Sequence, residues 1–355
     1  MKAIRKLRRP RVLIVGCGDV GMRCAEQLQP RARVVALTTQ PARCAELRAA
    51  GVTPLVGDLD VRRSLMRLAG LAPTVLHLAP PQKTGDDDRR TRALLAALSA
   101  RRASPARAAT IVPVARLRRL CTARMERETG AIVPDGVVRT APWSVPPKVV
   151  YASTTGVYGD CGGARIDETR PVQPANPRAL RRVSAERQLR RATARGAARA
   201  CIARIPGIYA ANRLPLARLE KRTPALIDAD DVYTSHIHAD DLAAILVRMT
   251  THGRTARVIH ASDDSEMKMG AYFDKVADAY GLARAPRIAR DAAEQQLDPM
   301  LLSFMRESRR LVNTRLKREL RVRLRYPSVD DFLRTQTQTQ THSAHERKTS
   351  PGSDV

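Results

Sequence analysis

RVLIVGCGDVG, residues 11–21, sets a short apolar run directly against three glycines spaced G-x-G-x-x-G. Arg11 to Val15 predicts a buried strand. Val20 to Gln29, with Val20, Cys24, Ala25 and Leu28 on one face, predicts the helix after it, stopped by Pro30. Such a glycine pattern is weak alone and strong between a strand and a helix. Gly16 allows the tight turn, Gly18 lets backbone approach a pyrophosphate, and Gly21 lets helix and strand pack closely, with the helix N-terminus facing the anion. The contact falls to backbone N–H groups around Asp19 and Val20, so the side chains of Cys17 and Asp19 are read as bystanders.

Outward from this turn the chain keeps alternating. Val34 to Leu37 reads as a second strand, Ala42 to Ala50 as a helix closed by Gly51, and Thr53 to Val56 as a third strand. Arg62 to Leu68 is helical up to Gly70, and Thr74 to Leu78 is a fourth strand. The alternation predicts an α/β fold: a doubly wound parallel sheet of Rossmann type with helices on both faces. Val149 to Ala152 and Ala200 to Ile205 read as further strands, Pro177 to Arg195 as a long helix, and Leu242 to Met249 and Gly270 to Tyr280 as shorter ones.

The pattern fails over residues 101–147, where basic residues and prolines come without a sustained period; this reads as a long, flexible basic insertion. The expected organisation is a basic extension over 1–10, a dinucleotide-binding domain over 11–207 that carries the insertion, a smaller C-terminal substrate lobe over 208–334 sharing helices with it, and a disordered tail over 335–355 (TQTQTQTHSAHERKTSPGSDV).

Composition bounds the partners. Of 355 residues, 63 are Lys or Arg and 35 Asp or Glu, a formal net charge of +28. Nine of the basic residues are Lys and 54 are Arg, spread along the whole chain, and aromatics are only 3%. With few platforms for base stacking, a general arginine bias explains the charge as well as a nucleic acid does, and a small-molecule partner is preferred. No apolar run reaches the length of a membrane span. Six scattered cysteines (17, 24, 44, 121, 161, 201), without a C-x-x-C pair, point to reduced thiols and a cytoplasmic setting.

The second strand bears on the cofactor. An NAD site places a carboxylate at its end to hold the ribose 2′-hydroxyl, but eighteen residues beyond Gly21 lies Thr39, with Arg43 close behind. Hydroxyls and a nearby Arg suit a 2′-phosphate, so NADP(H) is favoured over NAD(H). Arg43 reads equally as an exposed helix residue. Asp58 and Leu59 follow the third strand, where a carboxylate can accept from an adenine amino group or cap a helix. Leu78, Ala79 and Pro80 end the fourth strand, where backbone would line the cofactor; His77 reads as packed.

Together with four downstream segments, these residues resemble the extended short-chain dehydrogenase/reductase superfamily, the NAD-dependent epimerase/dehydratase group. Tyr151 to Gly159 (YASTTGVYG) is similar to its S-S/T-x-x-V-Y-G segment, Ile166 to Pro171 to its D-E-x-x-P loop, Arg204 to Tyr209 to its R-x-x-G-I/V-Y strand and loop, and His236 to Leu242 to its I-H-V-D-D-L segment. The resemblance runs from residue 11 to about 330, leaving out the insertion and the termini. It implies hydride transfer on a small hydroxyl or carbonyl substrate, nucleotide sugars among them, and by analogy a homodimer.

One departure stands out. The family's Tyr-x-x-x-Lys pair lies four residues before a Glu, here Glu186, which puts Arg182 at the Lys position and Arg178 at the Tyr position. Arg182 could still reach a ribose, but a guanidinium stays charged and Arg178 cannot shuttle a proton. The resemblance gives Thr154 the role of the Ser/Thr that hydrogen-bonds the reacting oxygen. Tyr158 is the surviving phenol, for catalysis or substrate contact, and Arg213 would meet an anionic group. His236 and His238 could titrate near neutral pH, or merely join the lobes with Asp240 capping the next helix. The rival expectation is a non-catalytic NADP(H)-binding sensor or regulator.

Overall fold

Val12 to Val15 are at most 5% exposed, and their alternate side chains enter two different cores. A strand buried on both sides needs layers on both sides, and the computed structural model, which describes residues 9–100 and 145–338, provides them. Seven parallel strands form the central sheet. They run β1 (Arg11–Val15), β2 (Arg33–Thr38), β3 (Thr53–Val56), β4 (Thr74–His77), β5 (Lys148–Thr154), then Arg199–Ile205 and Val258–His260. Their spatial order is β3-β2-β1-β4-β5, then 199–205, then 258–260. The last strand comes from beyond residue 208, so the chain returns to the central sheet after leaving it.

One face is covered by α1 (Asp19–Leu28) and the helix Ala239–His252, which bury Cys24, Leu28, Leu242, Ile245, Leu246 and Met249 against Ile14 and Leu76. The other is covered by α3 (Arg89–Ser99) and the helix Pro177–Ala194, through Leu94, Leu98, Ala185 and Leu189 against Leu13, Val75 and Val149. Each fully buried aliphatic side chain contributes about 1.5–3 kcal/mol. α2 (Cys44–Ala49) is shorter than the expected 42–50, its first turn being the 3-10 turn Pro41–Arg43.

A third core, built on Tyr209, Phe273, Val276, Tyr326, Val329 and Phe332, forms the C-terminal lobe. It corrects the expected start of the disordered tail. Phe332 and Leu333 bury themselves there, and the helix that carries them runs on to residue 338, with Thr335 and Thr337 hydroxyls donating to the carbonyls of Phe332 and Leu333. The remainder of the tail, the extension over 1–8 and the insertion over 101–144 lie outside the described residues. Among the described residues no helix is long and apolar enough to cross a membrane, and Cys17, Cys24, Cys44, Cys161 and Cys201 are free thiols.

Candidate active site

β1 pairs with β2 on one side and with β4 on the other. The connections leave these two strands in opposite directions, so a crevice opens at their carboxyl ends, where α/β sheets bind ligands. The glycines fill that crevice according to three distinct needs. Gly16 has φ +91, and a Cβ there would stand 2.5 Å from the Ala79 nitrogen. The close approach exists because the Leu78 and Ala79 N–H groups both donate to the Val15 carbonyl at 2.8 Å. At Gly21 a Cβ would meet the Gly16 carbonyl oxygen at 2.9 Å, whereas at Gly18 nothing lies within 4 Å. Gly18 also caps α1 without any side chain accepting from the first-turn N–H groups, so the positive end of that helix faces open space.

Two cavities meet at this loop, sharing Gly16, Gly18, Leu78 and Pro80. The first, about 420 Å³, runs over the ends of β2 and β3 and is lined by Thr39, Arg43, Asp58 and Leu59 among others. Arg43 donates to the Cys17 carbonyl at 2.7 Å and forks onto Glu46 at 2.7 and 3.0 Å, which fixes it as one wall. Asp58 lines the cavity while its Oδ1 accepts from the Asp60 N–H at 2.9 Å, so it also holds its own turn. Sequence reading missed Arg90, which lines the same wall, donates to the Pro80 carbonyl at 3.2 Å and pairs with Asp60 at 2.6 Å. No periodicity links Asp60 to an Arg thirty residues on; only the fold does.

The second cavity, about 490 Å³, runs from Asp19 and Val20 to the end of β5. Thr154 lies at its far end, where its hydroxyl accepts from the Gly156 N–H at 3.3 Å, and Ser153 and Arg182 line the same wall. Arg182 donates to the Ala152 carbonyl at 2.7 Å and the Tyr151 hydroxyl at 3.1 Å, which fixes it beside the strand. Arg178, one turn earlier, stacks its guanidinium 4.5 Å from the ring centre of Phe304 and does not line the cavity. Arg213 does line it, with its Nε on Asp19 at 2.7 Å.

Tyr158 is not brought to the cavity. It is 1% exposed, accepts from Arg204 at 2.7 Å and lies 2.6 Å from His260 Nε2, and burial pushes its phenol up to about 12. The phenol belongs to a buried network. Arg204 and Glu186 form an ion pair at 2.7 Å, 3% and 4% exposed, and Glu186 also accepts from Ser153 at 2.7 Å. An Arg inside the otherwise apolar strand ACIARI is the signal that a buried acid faces it.

His77, His236 and His238 are buried. Burial lowers His77 to about 3 and both His236 and His238 to about 4, so all three are neutral at pH 7. His238 Nδ1 accepts from the Asp240 N–H at 3.2 Å and is the cap of the helix 239–252, in place of Asp240, whose carboxylate pairs with Arg23. No cluster of metal-ligating side chains occurs among the described residues.

Comparison with known proteins bears on the family and the fold. The model of the NAD dependent epimerase/dehydratase family matches residues 131–261, and that of the TrkA-N domain matches residues 12–133. A search of curated protein sequences matched none. Among solved structures, a functionally unknown conserved protein from Silicibacter pomeroyi is 25% identical, with a TM-score of 0.64 over 93% of this chain and 99% of its own. MoeE5, solved with UDP-glucose and NAD, is 18% identical, with a TM-score of 0.63 over 94% and 99%. DesIV, the dTDP-glucose 4,6-dehydratase from Streptomyces venezuelae, solved as a double mutant with NAD and DAU, is 18% identical, with a TM-score of 0.64 over 94% and 98%. The family resemblance and the fold are thereby borne out.

Proposed function

We propose that the chain binds a nicotinamide dinucleotide along the two joined cavities and acts on a small hydroxyl or carbonyl substrate at the Thr154 end, in the manner of epimerases, dehydratases and reductases. The observation that carries this reading is the glycine loop: an uncapped helix N-terminus and an open Gly18 lie where the two cavities meet. The adenosine half would lie against Arg43, Asp58 and Leu59, and the nicotinamide half between Val20, Arg182 and Thr154. MoeE5 and DesIV, which share the fold, hold NAD, and MoeE5 holds a nucleotide sugar, which makes nucleotide sugars the first substrates to screen. The hydroxyls and Arg43 beside β2 favour NADP(H).

When bound, the nicotinamide would supply or accept a hydride. The chain's own part is to hold the reacting oxygen at the Thr154 hydroxyl and to fix the ribose side against Arg182. Among the described residues no phenol lines the cavity: Arg178 is stacked on Phe304, and Tyr158 is committed to Arg204 and His260. Proton exchange then falls to solvent in the cavity.

That same vacancy favours a second reading, a binding protein that holds NADP(H) and reports redox state without turnover. Absorbance at 340 nm separates the two. An enzyme changes it in a substrate-dependent way, reduced about 100- to 1,000-fold by Thr154→Ala, whereas a sensor binds the dinucleotide and leaves the absorbance constant with every substrate.

A further inference from the structure

Four charged side chains span the gap between the glycine loop and the loop that follows the strand Gly207–Tyr209. Asp19, the first residue of α1, accepts from Arg23 Nε at 3.1 Å through one oxygen and from Arg213 Nε at 2.7 Å through the other. Arg23 continues to Asp240 and to Asn212, beside Arg213. Two acids thus meet two guanidinium groups, and the cluster is formally neutral.

Arg213 is the member with capacity to spare. Asp19 engages its Nε alone, its side chain is 35% exposed, and it lines the cavity together with Gly18 and Asp19. Among the described residues, neither of its Nη groups has a protein partner. A bare carboxylate one residue past Gly18 would repel a pyrophosphate, since like charges a few ångströms apart disfavour each other. Here both carboxylate oxygens are turned to cations. Burial alone would push the Asp19 carboxyl up, but the hydrogen bonds and charges of Arg213 and Arg23 outweigh it and hold the group below the usual carboxylate range.

We propose that Asp19 is a positioning residue that holds Arg213 beside the α1 N-terminus, so that the two Nη groups of Arg213 take the pyrophosphate of the dinucleotide opposite the helix N–H groups. A planar guanidinium matches two phosphate oxygens at once, and the helix end supplies donors from the other side. Asp19, silent in the glycine pattern because its backbone alone would touch ligand, thereby acts on the ligand through a second side chain. Dinucleotide binding also ties the loop over residues 210–213 to the nucleotide-binding sheet.

This inference rests on the dinucleotide reading, and the test keeps the two apart. The full chain is titrated calorimetrically with NADPH, NADH and ADP-ribose, which keeps the pyrophosphate and lacks the nicotinamide. Arg213→Ala, Arg213→Lys, Asp19→Asn and the Asp19→Asn/Arg213→Ala double variant follow, each checked by thermal melt for an intact fold. Arg213→Ala weakens the better-bound dinucleotide and ADP-ribose alike, by about 10-fold or more, as expected for a lost charged hydrogen bond. Arg213→Lys retains part of the affinity. Asp19→Asn weakens both ligands, and the double variant is no weaker than Arg213→Ala, because Asp19 acts only through Arg213. Tighter binding by Asp19→Asn, or full affinity in Arg213→Ala, overturns the inference and leaves the dinucleotide site standing. A folded wild-type chain that takes none of the three ligands overturns the dinucleotide reading and this inference with it.

Discussion

The glycine loop at residues 16–21 and the helix Pro177–Ala194, through Arg182, border the same crevice but are built differently. In the loop every glycine answers a demand: Gly16 a positive φ against the Ala79 backbone, Gly21 a close helix contact, Gly18 an open approach. On the helix, Arg182 lines the cavity, whereas Glu186, one turn on, is buried away from it. Glu186 holds its buried pair with Arg204, while Arg178 stacks on Phe304 and Arg182 donates to the Ala152 carbonyl at the cavity wall. A single helix thus carries a residue that packs and a residue that lines the cavity one turn apart, as expected when a site is grafted onto a scaffold.

The largest effect tests that separation. Glu186→Gln leaves the Arg204 guanidinium buried without its countercharge, and a loss of about 3–5 kcal/mol in urea unfolding is expected. A loss below 1 kcal/mol would mean that the buried pair does not hold this helix to the sheet. Next come the glycines as a pair. Gly16→Ala forces a side chain into positive φ and against backbone, and should cost about 1–3 kcal/mol of stability. Gly18→Ala has φ −83 and open space around it, so its melting temperature should match wild type while dinucleotide affinity falls about 10-fold or more. Equal stability losses in the two variants would erase the distinction between packing and ligand glycines.

The pH dependence is of intermediate size. His77, His236, His238 and His260 have folded pKa values depressed by burial to about 3 or about 4, so the unfolded chain binds protons that the folded chain refuses. Their stability is fully present above the unfolded value near 6.5 and is lost as pH falls from there toward 4. Melting temperature should therefore drop across that window, and replacing His236 with Phe should blunt the drop. Asp263, raised to about 8 by burial, acts oppositely: its contribution is present at low pH and fades as pH rises from about 4 toward 8. The smallest effect is at Arg43. Its fork onto Glu46 is half-exposed, so Arg43→Ala should leave stability within about 0.5 kcal/mol and change the NADPH-to-NADH affinity ratio only a few-fold.

Much of this was legible in the sequence because it depends on local order. A strand, three glycines and a helix follow one another within twenty residues, and the β1 and β4 segments bear their apolar runs openly. What the sequence hid depends on partners far along the chain. A phenol in V-Y-G looks the same facing a cavity or a core, and Tyr158 is committed by Arg204 and His260, 46 and 102 residues away. The cap at His238 and the wall at Arg90 are hidden likewise, the first by an imidazole in a role usually taken by Asp or Ser, the second by an ion pair between the start of α3 and the turn after β3. The TQTQ segment starts helical because Phe332 and Leu333 just before it are buried, which composition alone does not reveal.

The most direct measurement is a calorimetric titration of wild-type and Gly18→Ala protein with NADPH, NADH, NADP+ and NAD+, each preparation confirmed folded by its melt. Wild type should bind at least one of the four, and Gly18→Ala, equally stable, should bind it at least about 10-fold more weakly. Folded wild-type protein that binds none, or a Gly18→Ala variant that binds as tightly as wild type, would contradict the assignment of this loop as the dinucleotide cradle.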